Sequence, residues 1–184
     1  KDLLQADYST AVGGHRELTL ADGSTVILNT DTALAADFTD KERRIRLLHG
    51  EAEFIVAHDA NRPFRVVSAD RTVTALGTEF SVAAWDDNFA VTVFASAVQV
   101  SENGQPWATL KPGQQLTAND GAKPQINRQV DLEEALSWRQ GLLIFTNKPL
   151  HEVLAEINRY QPGQLILLAK AAANNPVSGV FKVN

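Results

Sequence analysis

The chain has 184 residues with a formal net charge of −5, 44% hydrophobic and 21% charged residues, and neither cysteine nor methionine. Folding at this length buries roughly 70% of the surface the unfolded chain exposes, so a real core forms without covalent staples. The acidic balance argues against nucleic acid as the main partner, because binding phosphates needs a basic surface, and the lack of cysteine excludes disulfides, thiolate metal sites and a cysteine nucleophile.

The sequence opens on Lys1 and holds no methionine anywhere, which points to a segment of a longer protein. No apolar run approaches the roughly 18 residues of a membrane span; LILLA at residues 165–169 is among the longest. Any anchor or address is expected outside these residues.

From about residue 14 to 118 the chain reads as short strands separated by turns. Leu18 and Leu20 share one face, an Asp22-Gly23 turn follows, and Val26 and Leu28 resume the period of two, a hairpin signal. The basic cluster KERRIR at residues 41–46 reads as the solvated side of the next strand. Ile45 and Leu47 point inward before Gly50, and Ala52, Phe54 and Val56 point inward after it. The same alternation runs through Phe64 and Val66, Val73 and Ala75, Phe80 and Val82, Phe89 to Val93, and Val98 and Val100. Pro112-Gly113 reads as the centre of a type II turn. So many short strands with no helical pattern between them predict an antiparallel β-sandwich or a solenoid-like stack over residues 1–120.

Residues 118–129 read as a linker, after which the period changes. Asp131 and Glu134 form a capping-box signature, and Gly141 stands where a helix commonly stops. The strand LLIF (142–145) follows, then a helix with Leu150, Val153, Leu154 and Ile157 at helical spacing, opened by Pro149 and closed by Pro162-Gly163. QLILL (164–168) and PVSGVF (176–181) read as further strands. The expected fold class is therefore mainly β, with an all-β domain (1–120), a linker and connecting helix (121–141), and a small α/β unit of βαβ type (142–184).

Convergent reactive groups are sparse. His15, His49, His58 and His151 fall in separate elements with no metal-ligand spacing, and His58-Asp59 reads as a solvent-exposed turn. Glu51 and Glu53 share the outward face of one strand and read as solubilising residues. No phosphate loop or nucleophile elbow is present, so no enzyme of external substrates, no cofactor and no metal is expected. The stretch TALGTEFSV (74–82) is the exception: Gly77 reads as a bulge or a close backbone approach, and the Gly77-Thr78 peptide bond is one the Thr78 hydroxyl could attack.

The order of LADGSTVILN, RRIRLLHGEAEFIVA with RPFRV, TALGTEFSV, AVTVFASAVQV and LKPGQQL resembles the periplasmic region of the FecR family of anti-sigma regulators. WRQGLLIFTNKPLHEVLAEINRY then resembles the family's passage into the short domain shared with secretins and TonB-dependent transducers. Two departures stand out: Ala95-Ser96 replaces a Glu-Gly turn, and the short domain ordinarily continues beyond a strand like SGVF. The resemblance implies a periplasmic location and an upstream membrane helix. It also implies a cytoplasmic segment that binds a sigma factor, and reception of the signalling domain of a TonB-dependent outer-membrane transducer that reports iron-siderophore availability. It further implies self-cleavage, as in some members of the family, at the Gly-Thr of this motif, here Gly77-Thr78.

Recognition is assigned to the C-terminal unit, whose sheet edges offer unpaired backbone groups to a partner strand. The candidate edges are Val177, Ser178, Gly179, Val180 and Phe181, or Leu143 and Phe145, flanked by His151, Glu152, Glu156 and Arg159. For Leu143 and Phe145 a core role is the competing reading. An alternative function, a carbohydrate- or peptidoglycan-binding sandwich, would use Trp85, Trp107 and Trp138 as stacking platforms. A further rival is a piece of a secretin or transducer that shares the short domain.

Overall fold

A strand with apolar residues at every second position has one face to bury, and a computed structural model, which describes residues 5–86, 88–119 and 121–183, shows how those faces are buried. Strands β1 (Tyr8–Ser9), β2 (Arg16–Thr19), β3 (Thr25–Leu28), β4 (Ala33–Phe38) and β5 (Arg43–Ile55) come first. They are followed by β6 (Phe64–Ser68), β7 (Arg71–Ala75), β8 (Glu79–Trp85) and β9 (Asn88–Ala95). The last of this region are β10 (Val98–Glu102), β11 (Gln105–Leu110), β12 (Gln115–Asn119) and β13 (Gln125–Asn127). All thirteen join one curled sheet, whose long path runs β11-β10-β7-β6-β5-β8-β9-β12-β13.

The long strand β5 crosses the whole assembly. Its first half pairs with β4 and, in parallel, with β6; its second half pairs with β3 and β8. The two halves face each other across one core, where Phe64 meets Phe54 at 5.8 Å and Phe54 stacks on Phe80 at 5.4 Å. Val26, Leu28, Ile45, Leu47, Val66, Val73, Val82, Val91, Val98 and Val100, all expected inward, are buried there. Each such side chain contributes about 1.5–3 kcal/mol relative to exposure. The mainly β class expected from the alternation is what the chain adopts.

Several local expectations change. Arg43 is fully buried rather than solvated, while Arg44 and Arg46 keep partial exposure. Residues 125–127, expected within a linker, form β13 and pair with β12, so the chain leaves the sheet only after it. Gly77 is not a bulge within one strand: residues 76–78 form a bend between β7, held by β6 and β10, and β8, held by β5 and β9. Ser96 takes a positive φ of 57° in the tight β9–β10 connection, a conformation in which glycine is commoner.

After the sheet, Asp131 caps α1 (Leu132–Leu136) by accepting from the amides of Glu133 and Glu134. The Glu134 carboxylate goes instead to Lys148, at 2.7 Å. One 3₁₀ turn (Ser137–Gln140) leads into β14 (Leu142–Pro149), then α2 (Leu150–Ile157) and β15 (Pro176–Lys182). β14 and β15 pair with each other antiparallel, so the unit lacks the parallel strands of a βαβ crossover. QLILL does not form a strand; the Asn158 side-chain amide bonds both the N–H and the C=O of Leu165, doing for one residue what a neighbouring strand does for many. A second core of Trp138, Leu143, Phe145 and Val153 includes Ile27 of β3, which packs the unit onto the outer face of the large sheet. Among the described residues no helix is long and apolar enough to cross a membrane.

Candidate functional site

Backbone pairing fixes the surroundings of the Gly77-Thr78 bond. Val56 N–H donates to Thr78 O at 2.9 Å and Asp59 N–H donates to Leu76 O at 3.0 Å, so the segment after β5 is clamped on both sides of Gly77. His58 lies between the two clamps. A Cβ on Gly77 would stand 2.8 Å from His58 Nδ1 and 2.9 Å from its Cα, which is why this position takes glycine: the space is already filled. Thr78 is buried and its hydroxyl donates to the carbonyl of Ala95 on β9.

The second region is the seam between the large sheet and the C-terminal unit. Asn29 donates to Glu51 Oε2 at 2.8 Å and to the Tyr160 hydroxyl at 2.7 Å; Thr30 donates to Arg159 O at 3.0 Å. Arg159 lies over the Trp85 ring, 5.0 Å from its centroid, and Arg139 reaches Glu53 at 3.2 Å. Glu51 and Glu53, expected as solubilising residues, are therefore covered by the unit that follows them. They do share the outward face of β5, and that face is an interface. Burial pushes the Glu51 carboxyl up to about 7 against the Asn29 hydrogen bond, with Glu156 adding to the rise. Burial likewise lifts Glu53 to about 7, Arg139 opposing and Glu79 reinforcing it. Burial and the nearby Glu51 raise the Tyr160 hydroxyl well above its ordinary value. Lys148 resists its own burial because Glu156 and Glu134 hold its pKa up. A polar cavity of about 500 Å³ runs along this seam between Glu51, Ser81 and Thr92 on the sheet and Glu134, Lys148 and Arg159 on the unit; no histidine lines it.

The expected partner residues divide by position. The side chains of Leu143 and Phe145 are buried in the small core. On β15, Val180 is 62% and Phe181 39% exposed, while Val177 packs against the small core. Ser178 accepts from the Asn147 amide at 2.9 Å, and Gly179 faces Phe145 across the pair. His151 and Glu152 are exposed on α2, and His151 Nδ1 lies 2.9 Å from Ala173 O. Leu165, Ile166 and Leu168 add exposed apolar surface to the same unit, with Leu168 at 90%. The tryptophans offer no shared platform: Trp85 and Trp138 are buried, and Trp107 is partly buried with Arg71 over its ring.

Asn29, Arg139 and Tyr160, which build the seam, escaped the sequence reading. Their partners lie up to 131 positions away, and no local pattern carries that information.

The family model described as FecR protein matches residues 6–99, just over half of the chain. Two crystal structures of a candidate anti-sigma factor from Parabacteroides distasonis ATCC 8503 are similar throughout, each 27% identical and covering 96% of this chain and 84% of theirs, with TM-scores of 0.83 and 0.82. No curated protein matches. The curled sheet, the motifs that build it and the extent of the family match establish that the chain belongs to the FecR protein family.

Proposed function

We propose that this chain is the periplasmic sensor region of a membrane-anchored anti-sigma regulator. Its partner is the signalling domain of a TonB-dependent outer-membrane transducer, and it relays iron-siderophore availability to an extracytoplasmic-function sigma factor bound by a cytoplasmic segment. Family membership and similarity to a candidate anti-sigma factor support the regulatory role. The observation that carries the partner assignment is the C-terminal sheet of two strands, in which, among the described residues, β15 pairs only with β14 and exposes Val180 and Phe181 beside its other edge. Such an edge accepts a strand through main-chain bonds, with alternate side chains supplying selectivity. The test is calorimetric titration of the chain with purified transducer signalling domains. Val180→Asp is expected to weaken binding about tenfold or more with an unchanged melting temperature, and His151→Ala to have a smaller effect. Equal affinity for wild type and Val180→Asp, or no binding by any signalling domain, refutes the assignment.

Self-cleavage at Gly77-Thr78 is the second part of the proposal, and the bend supports it. The bond lies between strands each held on both sides by others, so a cut there leaves β7 and β8 paired and the fold intact. The Thr78 hydroxyl is the nucleophile, and Thr78→Ala is expected to give one intact species by denaturing electrophoresis and mass measurement.

A further inference from the structure

Resting on the self-cleavage reading, we infer that His58 is the proton carrier for that reaction. An acyl shift from nitrogen to oxygen must move a proton from the attacking hydroxyl to the departing amide nitrogen, and a neutral imidazole beside the bond does both halves of that transfer. His58 is placed for it by main chain. The bonds from Val56 N–H to Thr78 O and from Asp59 N–H to Leu76 O pin its loop across the bend, and its ring fills the space a side chain on Gly77 would need. Among the described residues its ring nitrogens make no hydrogen bond, which leaves them free to exchange a proton. The neighbouring acid is not available: Asp59 is engaged by Arg62 at 2.9 Å.

The atoms balance as follows. Thr78 Oγ turns away from the Ala95 carbonyl it donates to at rest, bonds to the Gly77 carbonyl carbon, and its proton passes to His58. The bond from that carbon to the Thr78 nitrogen breaks as the imidazolium returns the proton to the nitrogen, leaving a free amine and an ester between Gly77 and the Thr78 oxygen. Water then adds to the ester carbon, giving a Gly77 carboxylate and restoring the Thr78 hydroxyl, with one water consumed overall. The place of this glycine in the sequence follows from the same geometry, because any larger residue displaces the carrier from the bond.

The experiment follows the full chain from cell-free synthesis by denaturing electrophoresis and intact mass between pH 5 and 9, for wild type, Thr78→Ala, His58→Ala and His58→Gln. Melting temperatures verify the fold, and hydroxylamine traps the ester. The expected result is cleavage in wild type with a rate that rises as an imidazole loses its proton, and none in Thr78→Ala. Both His58 variants should be slowed about a hundredfold with that pH dependence lost, and added imidazole should rescue His58→Ala in part. Cleavage of the folded His58 variants at the wild-type rate, or with the wild-type pH profile, overturns the role of His58 and leaves self-cleavage standing. A wild-type chain that stays whole across the pH range overturns both.

Discussion

Arg43 shows what one residue can decide in this fold. Its guanidinium, fully buried, donates to Asp22 Oδ2 at 2.8 Å, to Ala57 O at 2.7 Å and to Arg62 O at 2.9 Å, and lies over the Phe64 ring. It thereby ties the β2–β3 turn to the loop that carries His58. Arg43→Ala strands the Asp22 carboxylate in the interior and is expected to cost about 3–5 kcal/mol in chemical denaturation. The double variant Arg43→Met, Asp22→Asn should recover part of that loss. A loss near zero for Arg43→Ala contradicts the assignment. Burial opposes the Asp22 charge, but hydrogen bonds from Ser24 and Arg43 outweigh it and lower the pKa below 3.8. Its contribution is therefore present above that value and lost as pH falls through the lowered one. The inward position was legible, since residue 43 has the parity of Ile45 and Leu47; the weight given to charge hid it.

At the scale of elements, β5 is the piece on which the architecture turns, and Gly50 is where it passes from one half of the sheet to the other. Gly50 sits at φ 96°, and a Cβ there would stand 2.4 Å from Thr32 Oγ1 and 2.5 Å from Thr32 Cα. Thr32 is itself fixed, its hydroxyl donating toward Glu51 O and accepting from Glu51 N–H, so it has little room to yield. Gly50→Ala is expected to destabilise by about 2–4 kcal/mol through strain and overpacking. Gly104→Ala, at φ 77° with nothing within 4 Å, should cost only about 1 kcal/mol. Equal losses in denaturant melts would show that conformation alone, not the Thr32 contact, sets the requirement. Existence and facing of strands were legible here because alternation is a local signal. Order was not: β5 pairs with four strands, and nothing within residues 43–55 names them. QLILL fails for the complementary reason, since its apolar residues suit a strand but a strand exists only beside another.

Across the whole molecule, the seam links the proposed partner surface to the proposed cleavage bond. The C-terminal unit carries Arg139, Arg159 and Tyr160 to the sheet, Arg139 meets Glu53, and Glu53 stands beside Glu79, the residue after Thr78. A partner that shifts this unit therefore acts two side chains from the bond. The same seam makes docking sensitive to protons. Glu53 faces Arg139, Glu79 and Glu51, while Glu51 faces Asn29, Tyr160, Arg159 and Glu156. Both pKa values are raised from 4.5 to about 7, so the folded state holds these protons more tightly than the unfolded chain. Their contribution is full below about 4.5 and declines as pH rises to about 7, by as much as about 3 kcal/mol for one such group. The measurement is denaturant unfolding at pH 5 and pH 8 followed by fluorescence of Trp85 and Trp138, which stand under Arg159 and in the small core. Glu53→Gln keeps the shape and removes the titration, so its advantage over wild type should be small at pH 5 and larger at pH 8. An advantage that does not grow between those pH values means that Glu53 is charged in the docked state, and proton-sensitive docking through this residue is then wrong.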